Sequence, residues 1–116
     1  MKQFILLLHE KAGLDDAMSP DEMQSVIQEY VAWSNEMGER GLLVSGERLD
    51  SDGGRVIRPA TGEMIVSDGP YAETKDIVSG FFIVKSETLH GAIELAKTCP
   101  HAVRGHPIEV RLLPDA

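Results

Sequence analysis

The 116-residue sequence contains a single cysteine, Cys99. No disulfide can form within the chain, and a lone thiol suits a reducing compartment. Long apolar runs are missing as well. The longest, residues 4–8, falls far short of the roughly 20 residues needed to span a bilayer. His9 and Glu10 follow it too soon for a secretory leader, so the chain reads as cytoplasmic. Positive charge is scarce: eleven Lys and Arg stand against nineteen Asp and Glu, a formal net charge of −8. Nucleic-acid backbones and anionic membranes are recognised mainly through positive charge, so neither is an expected partner. A glycine-rich phosphate cradle is absent too, Gly53-Gly54 being an isolated turn. His90, His101 and His106 lack the companion ligands and spacing of a zinc site. No metal and no cofactor is expected.

What is present is an ordinary globular composition, 42% hydrophobic and 26% charged. The length suits one domain over residues 1–116, large enough to bury a core without staples. Residues 3–8 are nearly all apolar and predict a central strand covered on both faces. A polar stretch over 10–18 follows. Ser19-Pro20-Asp21-Glu22 then has the form of a helix start: a capping Ser, a Pro at the first helical position, and a Glu that completes a capping box. Met23, Val26, Ile27, Tyr30, Val31, Ser34 and Met37 recur at helical spacing, and Gly38 and Gly41 bracket the end. Residues 42–49 read as a second strand and 50–54 as a turn. Residues 55–58 and 63–67 predict a hairpin around Pro59-Ala60-Thr61-Gly62. Asp68-Gly69-Pro70 opens a polar loop to Asp76, and residues 77–84 form a further strand. Ser86 is placed as the cap of a second helix with Leu89, Ala92, Ile93 and Ala96 on its apolar stripe. Cys99-Pro100 ends that helix, because proline disfavours helix in its predecessor. A loop through His101, Gly105, His106 and Pro107 leads to a last strand over 108–113.

Without the hairpin the order is βαββαβ. The fold class is therefore α+β, a ferredoxin-like unit with an extra β-hairpin and two helices on one face of an antiparallel sheet. Phe4, Leu6 and Leu8 alternate with Ile5 and Leu7, so both faces of the first strand are apolar. Helices can cover one of them. A second copy of the chain is the simplest cover for the other, which makes a homodimer the expected state.

The stretch Asp68-Gly69-Pro70-Tyr71-Ala72-Glu73-Thr74-Lys75 resembles the signature of the DGPF subgroup of the YCII-related proteins, which usually has Phe in place of Tyr71. The flanks are similar as well: the opening apolar strand at 2–8, Gly-Leu-Leu-Val-Ser-Gly-Glu at 41–47, Ser-Gly-Phe-Phe-Ile-Val at 79–84, and Cys99-Pro100 followed by Ile108-Glu109-Val110-Arg111. The resemblance covers nearly the whole chain and implies a dimeric α+β barrel. It implies no defined activity. Some relatives are associated with extracytoplasmic-function sigma factors, and some short ones are thought to be enzymes. Those short relatives carry a His on the first helix and an Asp before a Pro after the second. Glu29 and Cys99 stand at the approximate counterparts, so that pair is not carried over.

Among residues suited to chemistry, His9 lies at the end of the first strand in phase with Ile5 and Leu7. A His beside a carboxylate can act as acid or base, and Asp68 at a strand end is the carboxylate assigned to it. His9 and Asp68 are thus the candidate catalytic pair, against the plainer alternatives of a rim histidine and a turn-capping Asp. Gly69, Pro70, Tyr71 and Glu73 are candidate ligand-binding residues of the adjoining loop. Arg111 is a further one, since a guanidinium grips a carboxylate bidentately; a structural pair with Glu109 is its alternative. Cys99 reads as a buried structural thiol.

Two classes of function fit these features. The first is a small-molecule binding protein, or an enzyme of proton-transfer or elimination type, with a cleft at the sheet rim. Residues alone leave open whether there is turnover. The second is a non-catalytic regulatory module, possible partner of a protein such as a sigma factor. It would dock through its acidic first helix, part of a segment 10–39 in which eight acids accompany the single base Lys11, or through the hairpin over Arg55 to Ser67.

Overall fold

A computed structural model describes residues 1–50, 52–68 and 76–115. In chain order the elements are β1 (Lys2–Lys11), a 3-10 turn (Leu14–Ala17), α1 (Pro20–Glu39), β2 (Leu43–Arg48), β3 (Arg55–Ala60), β4 (Glu63–Asp68), β5 (Asp76–Ser86), α2 (Leu89–Thr98), α3 (Pro100–Val103) and β6 (Ile108–Leu113). Four strands form one sheet in the order β2-β5-β1-β6. Every neighbouring pair is antiparallel. This is the ferredoxin-like α+β arrangement expected from the sequence, with β3 and β4 set apart as a two-stranded sheet.

Alternation along β1 fixes which face is the core. Phe4, Leu6 and Leu8 are buried, whereas Ile5 and Leu7 are half-buried. Their register partners are Val84, Phe82 and Gly80 on β5, and Leu112, Val110 and Ile108 on β6. On this face pack Trp33 and Met37 of α1, Ala92 and Ala96 of α2, and Cys99. Each fully buried large apolar side chain contributes on the order of 1.5–3 kcal/mol. The opposite face carries Ile5, Leu7, Phe81 and Ile83, with Glu109 and Arg111 in register beside them. The described helices pack on the first face only.

α1 begins and ends as its sequence dictates. Glu22 N–H donates to Ser19 Oγ at 3.1 Å, and Ser19 N–H donates to the Glu22 carboxylate at 3.3 Å, the reciprocal capping box. At the other end Leu42 N–H reaches Met37 O at 2.9 Å and Gly41 N–H reaches Gly38 O at 3.0 Å, a Schellman closure. Gly41 adopts φ +72° there, a conformation that costs a residue with a Cβ. The apolar stripe differs from the expected one at two positions. Trp33 is buried and Val31 is exposed. The indole earns its place by donating from Nε1 to Thr98 Oγ1 at 2.9 Å while its ring meets Phe82 edge-on.

Two local expectations are corrected. The cap of α2 is Thr88, whose hydroxyl accepts from Gly91 N–H at 3.0 Å. Ser86 is instead the last residue of β5, and its hydroxyl donates to Thr88 O at 2.8 Å. The segment after Cys99 is the short helix α3 rather than loop, with Pro100 at its first position and His101 wholly buried. Helix α2 does end before Cys99, and the Cys99 thiol is buried, as expected.

Candidate functional site: a cleft beneath the first helix

Two glycines of the sheet line a cleft beneath the first helix. Gly80 of β5 pairs with Leu8, and Gly46 of β2 pairs with Phe82, so both glycines face α1. A space of about 230 Å³ lies between this part of the sheet and the N-terminal half of the helix. Its walls are Met23, Val26, Ile27, Tyr30 and Ser34 from α1, Leu8 and Glu10 from β1, Ser79 from β5, and Arg48 with Leu49 at the end of β2. Gly80 is tightly held: a Cβ on it would stand 2.8 Å from Glu47 O. The volume lies between the roughly 150 Å³ of an engineered cavity that takes up benzene and the roughly 300 Å³ at which drug-sized ligand sites begin.

Ser79 reaches the wall because β5 carries a bulge. Leu8 pairs with Gly80 but His9 pairs with Val78, which makes Ser79 the extra residue. Its hydroxyl donates to Leu8 O at 3.3 Å. Across the cleft, Tyr30 belongs to a buried polar chain. Its hydroxyl lies 2.7 Å from His101 Nδ1, and His101 Nε2 lies 2.7 Å from His9 O. A carbonyl oxygen only accepts, so Nε2 carries the imidazole proton, Nδ1 accepts, and the Tyr30 O–H donates.

Burial governs the electrostatics of this chain. It pushes the His101 imidazole below its ordinary range, with His106 and His9 acting the same way and the bond to His9 O opposing. Burial also raises the Tyr30 phenol well above its ordinary value, and charge at Cys99 and Glu10 adds to the effect. Both groups are therefore neutral near pH 7. The Cys99 thiol is raised by burial too. The α1–α3 contact that holds the pair is fastened outside by Arg104, whose Nε and Nη2 donate to Glu29 Oε2 at 3.0 and 2.9 Å.

The residues singled out in the sequence fall elsewhere. His9 Nε2 meets Glu109 Oε1 at 3.1 Å on the open face of the sheet. The same carboxylate meets Arg111 Nη1 through Oε2 at 3.6 Å, so Arg111 stands beside Glu109. Asp68 sits at the end of the hairpin, almost fully exposed, and pairs with Arg55 Nε at 3.1 Å. No hydrogen bond or ion pair joins His9 to Asp68; the carboxylate beside His9 is Glu109. Gly69, Pro70, Tyr71 and Glu73 lie outside the described residues. The cleft itself escaped the sequence because its helix residues share one apolar stripe with the core. The faint signal was Gly46 and Gly80 in the two strands beneath that stripe. Among the described residues no group of three or more His, Cys, Asp or Glu is arranged to hold a metal ion, and no described helix is long and apolar enough to cross a membrane.

Fold and site together define a small α+β protein with a ferredoxin-like sheet and an apolar helix–sheet cleft. The chain belongs to the YCII-related domain family, whose profile matches residues 1–114. It is also similar to an uncharacterized protein of Rhizobium meliloti (strain 1021), 29% identical over 100 residues that make up 85% of this chain and 81% of the relative.

Proposed function

We propose that the protein binds a small, largely apolar molecule in the cleft beneath α1, and that it does so as a homodimer. The observation that carries the first part is a preformed space of about 230 Å³ with apolar walls and a few convergent polar groups. The bulge at Ser79 and the buried Tyr30–His101 pair support it, because both place polar atoms at the wall where packing alone would favour hydrocarbon. The second part draws on the open face, where Ile5, Leu7, Phe81 and Ile83 form an apolar row that a second sheet would cover. The lone free thiol suits a cytoplasmic setting.

Titration of ¹⁵N-labelled protein with 2-naphthol, a compact ring compound, tests the cleft. Saturable amide shifts at Val26, Ile27, Ser79 and Gly80 are expected, with affinity lowered at least tenfold in Val26→Trp, which fills the space. Shifts confined to other parts of the molecule, or none, would overturn the assignment.

A further inference from the structure

The two hydroxyl groups whose bonds are fixed on the cleft wall both send their protons away from it. Tyr30 O–H points to His101 Nδ1 and Ser79 O–H points to Leu8 O. Each oxygen has only a lone pair left to offer. The arrangement at Tyr30 is locked. Were His101 to turn its proton to Nδ1, the Nε2 lone pair would face the His9 carbonyl oxygen at 2.7 Å, a repulsive contact in a fully buried place. Tyr30 and Glu10 are both wall residues of the cleft. A carboxylate likewise only accepts. Arg48, in contact with Met23 Sδ at 3.9 Å, is the cation of the wall.

We propose that the ligand donates a hydrogen bond to the Tyr30 phenol oxygen, and that the site thereby selects compact ring compounds bearing a hydroxyl or amine over their alkylated counterparts. The proposal rests on the cleft being the binding site and adds the polarity of that site. His101 is a positioning residue in this scheme: it touches no ligand but sets the direction of the Tyr30 proton. The physical ground for selectivity is that an apolar group placed against the phenol oxygen leaves a desolvated acceptor unpaired.

Two probes of similar shape, 2-naphthol and 2-methoxynaphthalene, separate the outcomes when titrated into the full-length ¹⁵N-labelled protein. The donor-bearing naphthol is expected to bind roughly tenfold tighter than its methyl ether. In Tyr30→Phe the two are expected to bind alike, through loss of affinity for the naphthol. In His101→Gln the preference is expected to survive, since the amide can donate to His9 O and accept from Tyr30. Equal binding of both probes by the wild-type protein would overturn the proposal while leaving the cleft as a binding site. Shifts at cleft amides with neither probe would overturn both. A preference undiminished in Tyr30→Phe would overturn the assignment to Tyr30. Should that variant fail to fold, the wild-type comparison and His101→Gln still decide.

Discussion

His101 is the residue on which the interior turns. It is wholly buried, joins α3 to β1 through His9 O and to α1 through Tyr30, and is held neutral by desolvation. Stability must therefore depend on pH. In the unfolded chain a histidine takes up its proton near pH 6.5, whereas in the folded protein it does so only at lower pH. Between those two points the unfolded state holds more protons. The contribution of His101 is complete above about pH 6.5 and is lost as pH falls through the lowered folded value. Urea midpoints are expected to be level between pH 8 and 7 and to decline below about pH 6.5, with a shallower decline in His101→Gln. An identical decline in that variant would assign the acid sensitivity to other groups. The sequence concealed this residue. Gly105 and Pro107 close by made residues 101–107 look like loop, and only Pro100 hinted that a turn of helix begins after Cys99. Cys99 itself was legible as a buried thiol because it ends an apolar stripe.

At the scale of elements, local signals read best where a side chain satisfies a backbone group within a few residues. Ser19 and Glu22 specified the start of α1 outright, and both reciprocal bonds are present. Removing the Ser19 hydroxyl leaves an N–H of the first turn without its partner, so Ser19→Ala is expected to lower stability by about 1 kcal/mol. Chemical denaturation of the two proteins side by side measures it, and a loss below about 0.3 kcal/mol would show that water replaces the cap. At the start of α2 the expectation fell on Ser86, two residues before the observed cap. Ser86 and Thr88 both suit the start of α2, and the longer β5 claims Ser86. Periodicity had a similar limit in α1. It marks which side of a helix faces inward, but not whether the sheet opposite offers a Leu or a Gly. Met37 therefore meets filled space and Ile27 meets a cleft, although both obey one pattern.

For the whole molecule, the βαββαβ order was enough to give the sheet and its antiparallel pairing, whereas two apolar faces on β1 left open which of them the helices take. That order did not give the long-range pairing of side chains. His9 and Glu109 are 100 residues apart, and only the β1–β6 register brings them together, a pairing that a search for carboxylates near turns does not reach. The same register lays Ile5 and Leu7 beside Phe81 and Ile83 on the open face. If a second copy covers that face, sedimentation should give twice the 12.7 kDa of one chain. Ile83→Glu, which sets a charge in the middle of the row, should return the mass to one chain and leave the far-ultraviolet circular dichroism unchanged. A wild-type mass of one chain at all concentrations would overturn the dimer.

Cys99 lies at the junction of α2 and α3 with no exposed surface, and its thiol is held protonated by that burial. A thiol reagent in solution can reach it only when the junction opens. Because no second thiol competes, the labelling rate of the chain is a clock for that one opening event. It times the parting of α2 from α3, the helix that carries His101, without any engineered tag or dye.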